Sequence, residues 1–279
     1  MLLLFDGVNR LRARLGPTGT QIVNRLLYEA IYSLPAVRRR AFFNSGYHPP
    51  PEDMPPAPPG AGAPVQAALY HYAIRVLTRG IVPAPRAVLD IGCGLGGGLL
   101  YAAGAFPAAR LSGLDQSWAA VRAARSRLAR AGVQAELRVA RGDAIPFPSG
   151  SFDLVVSIGT VTYVGYPAFV RAAAPMVARG GALSITGGIT DTPLLWTQAR
   201  LAALGRETGL ELHGFEDITR NCVAAFAEQA PAHAELIARL PRFLRGAAAE
   251  WAVLPGSRRL AMYEAGRKKE FAAVFRRPA

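Results

Sequence analysis

The sequence predicts an α/β fold, a doubly wound, mostly parallel seven-stranded sheet with an N-terminal helical extension and a helical lid inserted before the last strand. Three observations predict it. From residue 87 onward, apolar runs of strand length alternate with stretches of helical spacing. The first run, Ala87-Val88-Leu89-Asp90-Ile91, leads into a burst of glycines, after which Leu99 to Ala102 start a helix. Two late strand-like runs, near 210–215 and 270–275, make an antiparallel hairpin with helical sequence between them. The division read from this is 1–63 for the extension and a proline-rich connector, and 64–279 for the main domain, with the lid at about 219–265.

Each element has its own signal. Residues 19–44 carry Ile22, Leu26, Ile31 and Leu34 at helical spacing, interrupted by Pro35 and followed by Arg38-Arg39-Arg40. Such a helix packs on the main domain, or rests on lipid headgroups with MLLLF as its apolar start. Residues 49–63, PPPEDMPPAPPGAGA, are extended and semi-rigid. A helix over 64–79 is closed by Gly80. The second strand, 109–114, ends at Asp115, about 20 residues beyond the glycine loop, where a carboxylate accepts hydrogen bonds from ribose hydroxyls. Ser117 caps the next helix, to Ala131. The third strand spans 133–139 and the fourth 152–159. A helix over 167–177, a fifth strand over 182–186, a helix over roughly 192–206 and strands at 210–215 and 270–275 complete the pattern.

Composition bounds the function. At 279 residues and 51% hydrophobic, the chain has a substantial core. Its formal charge is +13, yet of 32 basic residues only Lys268 and Lys269 are lysine. The arginines are scattered, which favours solvated faces, an acidic small molecule or an anionic membrane surface over nucleic acid. Cys93 and Cys222 make no disulfide framework. No run of 18 apolar residues and no signal peptide is present, so the expected location is cytoplasmic, with possible peripheral membrane contact. No His, Cys, Asp or Glu set has metal-ligand spacing, and neither a P-loop nor a Gly-x-Ser-x-Gly elbow occurs.

Two cofactors compete for the glycine loop. Gly92, Gly94 and Gly97 satisfy G-x-G-x-x-G, which allows a dinucleotide. Asp90, two residues ahead, is unhelpful beside a pyrophosphate and suits a ligand carrying an ammonium and a sulfonium. Read as Asp90-x-Gly92-x-Gly94-x-Gly96, the stretch resembles motif I of Rossmann-like class I S-adenosylmethionine-dependent methyltransferases. Asp115, Gly142-Asp143-Ala144 and Ser151-Phe152-Asp153 follow in that family's order. Phe42-Phe43-Asn44-Ser45-Gly46-Tyr47-His48 resembles F-x-N-x-G-Y, a segment that folds over the cofactor in the lipid and natural-product branch. Leu69-Tyr70-His71 resembles another piece of that branch, which includes the phthiotriolone-type O-methyltransferases. The resemblance covers roughly 42–276.

The resemblance implies a cofactor site of Tyr47, Asp90, Gly92, Cys93, Gly94, Asp115, Gln116, Asp143, Ala144 and Ser157. It implies methyl transfer to a hydrophobic lipid, polyketide or terpenoid, at oxygen before carbon. The family's histidine after the fourth strand is replaced here by Thr162, with Tyr163 beside it. Threonine is no base at neutral pH, so His71 is the expected substitute, and Tyr163 the residue that orients a hydroxyl. A cyclase or a non-catalytic binding protein on the same fold is the alternative, and a membrane-surface or nucleic-acid binder is a third class.

Overall fold

The computed structural model describes residues 25–26, 28–50, 64–190, 198–240 and 242–279. The MLLLF start, residues 19–24 of the first helix and nearly all of the proline-rich connector lie outside them. Seven strands form one sheet: β1 (Ala87–Ile91), β2 (Arg110–Asp115), β3 (Ala135–Val139), β4 (Phe152–Ile158), β5 (Val177–Thr190), β6 (Glu211–Asp217) and β7 (Lys268–Arg276). Their order is β3-β2-β1-β4-β5-β7-β6. β1 to β5 pair in parallel, and β7 runs antiparallel to both β5 and β6.

β1 is central and buried along its whole length, as a parallel strand covered on both faces requires. Val88, Leu89 and Ile91 are fully shielded, each contributing about 1.5–3 kcal/mol of burial, so the loop that follows them is firmly anchored. From β1 the chain winds outward through β2 and β3, then returns to the other side as β4 and β5. The order therefore reverses between β1 and β4, and that switch point opens a crevice at the C-terminal ends of the strands.

Several elements depart from their sequence signals. β5 runs to Thr190 because Gly187 and Gly188, which read as the end of a strand, continue it in register with Phe271 and Glu270. A Cβ on Gly187 would come within 2.8 Å of Val161, and one on Gly188 within 2.7 Å of Lys268 Nζ, so these glycines permit close approach inside a strand. The helix from Pro64 stays α-helical to His71 and then widens into a π-helical turn, Tyr72–Val76. The helix expected over 167–177 is Tyr166–Ala173 with a 3-10 turn over Ala174–Met176, and a short helix the sequence did not signal, Val161–Val164, precedes it across Gly165 at φ +91°. The lid is three helices, Thr219–Ala238, Arg242–Trp251 and Arg258–Glu264. Pro255 and Gly256 break it before Ser257, which caps the last helix through Leu260 N–H at 3.1 Å.

The N-terminal segment packs on the main domain. Residues 28–33 are helical, and the short helix Pro35–Arg38 follows. Glu29 accepts from Ser117 Oγ at 2.6 Å and from Ala119 N–H at 3.0 Å, adding an acidic partner to the start of helix Trp118–Arg130. Ser117 itself caps that helix by accepting from Ala120 N–H at 3.1 Å. Arg127 donates to the carbonyls of Leu95, Arg38 and Arg40, tying the segment to the glycine loop. Asn44 and Gln66 exchange side chain to main chain hydrogen bonds at 3.2 Å, while Tyr47 N–H reaches Val65 and His48 N–H reaches Asn221 on the lid.

Candidate active site

The glycine loop turns where its sequence requires. Gly92, Gly94 and Gly96 all have positive φ, at +82°, +49° and +84°. At Gly92 space forbids a side chain as well, since a Cβ would lie 1.8 Å from Thr160 Oγ1. Beneath the loop, Asp90 is 1% exposed. One of its oxygens accepts from Tyr70 OH at 3.0 Å, and Oδ1 is buried without a partner. Burial lifts its carboxyl to about 7; Tyr70's hydrogen bond works against the rise, and nearby Asp115 adds to it. Asp115, at the end of β2, accepts from Gly94 N–H at 3.1 Å and Ser117 N–H at 2.9 Å. Burial lifts it to about 6 against those two bonds.

A cavity open to solvent sits over this edge. Its floor is Gly92, Asp115, Gln116, Gly142, Asp143 and Thr160. Aromatic residues line the same cavity, with Tyr32 OH close to Gly94 of the loop. Tyr28 meets Tyr163 edge-on at 5.3 Å, Phe43 stacks on Trp251 at 4.4 Å, and Tyr32 meets Phe43 at 5.3 Å. Tyr28, Tyr32 and Phe43 come from the N-terminal segment, and Trp251 from the lid. The N-terminal segment and the inserted lid therefore both line one chamber. Val253, also in the lining, holds φ +55°, a left-handed conformation that costs a β-branched residue on the order of 1–3 kcal/mol.

The family described as a methyltransferase domain matches residues 88–181. The ubiquinone biosynthesis O-methyltransferase of Thiobacillus denitrificans is 32% identical over 165 residues, 50% of this chain and 70% of the relative. The chain belongs to the class I S-adenosylmethionine-dependent methyltransferases. The phthiotriol/phenolphthiotriol dimycocerosates methyltransferase of Mycobacterium leprae is 27% identical over 207 residues, 71% of this chain and 70% of the relative. Of an ajmaline N-methyltransferase of Rauvolfia serpentina and a ubiquinone biosynthesis O-methyltransferase of Xanthomonas axonopodis, which it also matches, the chain spans 35% and 57% of the length. Among solved structures the cyclase SpnF shares the fold, with TM-score 0.68 and 20% identity over 93% of this chain and 96% of that one.

Of the residues expected in the site of this methyltransferase-family chain, Gly92, Asp115, Gln116, Asp143, Thr162 and Tyr163 line the cavity together. Asp143 is held by a fork of Arg141, at 2.8 and 2.5 Å, and a carboxylate still has lone pairs for a further donor. Asp90, Cys93, Gly94 and Ser157 are not in the cavity's lining, and Asp90, Cys93 and Ser157 are buried. Ser157 donates to Ile91 O at 2.9 Å, and burial pushes the Cys93 thiol well up. Ala144 N–H is taken by Arg141 O at 3.1 Å, which closes a turn and leaves that donor engaged.

Two expectations are corrected. His71 lies apart from this cavity: it lines a separate hollow with Ile74, Arg75 and Thr78, and its Nδ1 is 2.6 Å from Tyr101 OH. The switch to a π-helical turn directly after His71 accompanies this placement. Tyr47 is also absent from the lining, because its ring stacks on Tyr72 at 4.5 Å between helix and lid. Thr162 faces the cavity but accepts Gly188 N–H at 3.0 Å, so it positions β5.

The structure adds Arg40, His233, Arg259, Lys268 and Glu270 to the lining. Arg40 has no acceptor, so His233 Nε2 accepts from it at 2.9 Å and the imidazole proton sits on Nδ1. Burial and Arg40 hold His233 near 4, which keeps it neutral. Lys268 and Glu270 stand two apart on β7 and so share a face.

The residues present fit S-adenosylmethionine. An unpartnered buried carboxylate oxygen under a glycine cradle, with a second carboxylate at the end of β2, favours a cationic ligand with hydroxyls over a pyrophosphate. A pH effect follows. Asp90 ordinarily titrates at 3.8, and its folded value is about 7. The native state thus holds the proton more tightly, and the stability it gains below about pH 4 is lost as pH rises to about 7. A bound cation pulls the value down again. Calorimetry at pH 6.5 in two buffers of different ionisation enthalpy should therefore show release of about half a proton or more per cofactor bound. Heats independent of the buffer would contradict this.

Proposed function

We propose that this chain transfers a methyl group from S-adenosylmethionine to an oxygen of an apolar small molecule. The observation that carries the reading is a single continuous cavity joining the glycine-loop edge to an aromatic chamber lined by the N-terminal segment and the lid. In this reading Asp115 and Gln116 bind the ribose, Asp143 the adenine amine, and Asp90 the cationic amino-acid end beneath Gly92 and Gly94. S-adenosylmethionine supplies an electrophilic methyl on a sulfonium, which needs in-line approach by a nucleophile. Thr160 and Gly92 close the floor, and Tyr28 and Tyr163 hold the acceptor against it. The relatives named above for ubiquinone biosynthesis and phthiotriol dimycocerosates support a lipid-like acceptor, and the aromatic lining suits one. Leu26 and Leu34, exposed near Arg38 and Arg39, support peripheral contact with an anionic membrane surface.

Among the described residues of the chamber, the histidine and the threonine are both engaged, and Glu270 is the carboxylate at the acceptor end. His233 is neutral with its lone pair engaged, Thr162 is bonded to β5, and Glu270 accepts from Tyr263 OH. Positioning then carries the displacement, and a hydroxyl acceptor would give its proton to Glu270 or to water at the open mouth of the cavity. The engagement of the histidine and the threonine favours a second reading, in which the fold and cofactor serve a cyclase or a binding role. Turnover decides between them. Methyl-labelled S-adenosylmethionine should yield S-adenosylhomocysteine and labelled apolar product in equal amounts, whereas tight cofactor binding without formation of S-adenosylhomocysteine supports the second reading.

A further inference from the structure

We infer that the chamber recognises an anionic group, a carboxylate or a phosphate, carried by the apolar acceptor, and that Arg259 and Lys268 hold it. The inference rests on the methyl-transfer reading only in calling the ligand an acceptor.

Charge in the chamber does not balance. Arg40, Arg259 and Lys268 line it, against one carboxylate of the acceptor end, Glu270. Lys268 is 8% exposed, and its Nζ lies 3.9 Å from Glu270 Oε1. Glu270 is further committed by accepting from Tyr263 OH. Arg259, half-buried, reaches only the Trp251 carbonyl, at a long 3.4 Å, and the phenol of Tyr263. Among the described residues no carboxylate lies within ion-pair distance of Arg259 or Arg40. Acids at the other end are already engaged, Asp115 by loop N–H groups and Asp143 by Arg141.

Glu270 is the carboxylate that acts on Arg259, and it is shared with Lys268, so two cations lean on one acid and an anion there restores the balance. Arg259 offers a planar fork suited to carboxylate or phosphate oxygens, and Lys268 a compact charge beside it. The two act on each other, since Arg259 is among the groups that hold the Lys268 ammonium below its usual range, after burial itself. Tyr28, Tyr163 and Trp251 supply apolar faces for the rest of the molecule. The same field repels an amine, so a cationic acceptor is disfavoured.

The test titrates the full chain, saturated with S-adenosylhomocysteine, with four probes of one tail: decanoate, decyl phosphate, decanol and decylamine. At least one anion should bind about tenfold or more tighter than decanol, with decylamine weakest. The anion preferred names the group. Arg259→Gln should bring anion and alcohol to about the same affinity, within roughly twofold, and leave S-adenosylhomocysteine binding unchanged. Lys268→Gln should reduce the preference and serves if Arg259→Gln fails to fold. Equal or tighter binding of decanol by the wild type overturns the inference, as does a preference that survives both substitutions. If S-adenosylhomocysteine does not bind, the methyl-transfer reading fails, and the same titrations without it still decide the anion site.

Discussion

Asp115→Ala should lower S-adenosylmethionine affinity by about a hundredfold or more, because two kinds of bond are lost together. The carboxylate is fixed at the end of β2 by Gly94 N–H at 3.1 Å and Ser117 N–H at 2.9 Å. Removing it takes away the acceptors for two ribose hydroxyls, each worth on the order of 1.5–3 kcal/mol to a charged partner. It also leaves two buried loop donors unpaired, which loosens the loop that must meet the cofactor. Asp115→Asn keeps the shape and one acceptor, and should fall between. Calorimetric titration measures the series, and a loss under about tenfold for the alanine variant would argue against ribose binding here.

Gly98→Ala sets two effects against each other. Helix propensity alone favours alanine by about 1 kcal/mol inside a helix. At this position, however, the new Cβ would lie 2.1 Å from the Tyr70 ring and 2.6 Å from Asp90 Oδ2. Tyr70 is buried and tied to Asp90, so neither can step aside cheaply. Overpacking of about 1–3 kcal/mol or more should win, giving net destabilisation and a displaced Asp90 with weakened cofactor binding. Gly104→Ala on the same helix meets nothing within 4 Å and is the matched control, expected to be neutral or stabilising. Denaturant midpoints of both variants check the pair. Equal midpoints would mean that Tyr70 and Asp90 yield freely.

β1, the glycine loop and Ser117 were legible because a strand run, positive-φ glycines and a cap are short-range requirements, met within a few residues. Asp115 was legible for the same reason, at a fixed spacing after the loop. The part that the extension and the lid take in the chamber was legible in outline from their amphipathic pattern.

The acceptor end was not. Lys268 and Glu270 pair with the extension of β5 past Gly187-Gly188, where the sequence reads as the end of a strand, and Arg259 comes from the last lid helix. Only the pairing of β5 with β7 shows those glycines to be a strand that needs close approach. One signal was available: Lys268 and Glu270 alternate on a strand, and lysine is rare in this arginine-rich chain. His71 misled because one histidine on a helix ahead of the loop carries no information about its face. The widening of that helix at Tyr72 is set by packing, which periodicity does not encode.

The central claim is that the glycine-loop edge and the aromatic chamber form one site for methyl transfer. Product balance tests it most directly. With methyl-labelled S-adenosylmethionine and an apolar carboxylic acid or phenol as acceptor, the account predicts one S-adenosylhomocysteine per labelled product, with both lost together in Asp115→Ala. Cofactor binding without any S-adenosylhomocysteine, or labelled product that persists undiminished in Asp115→Ala, would contradict it.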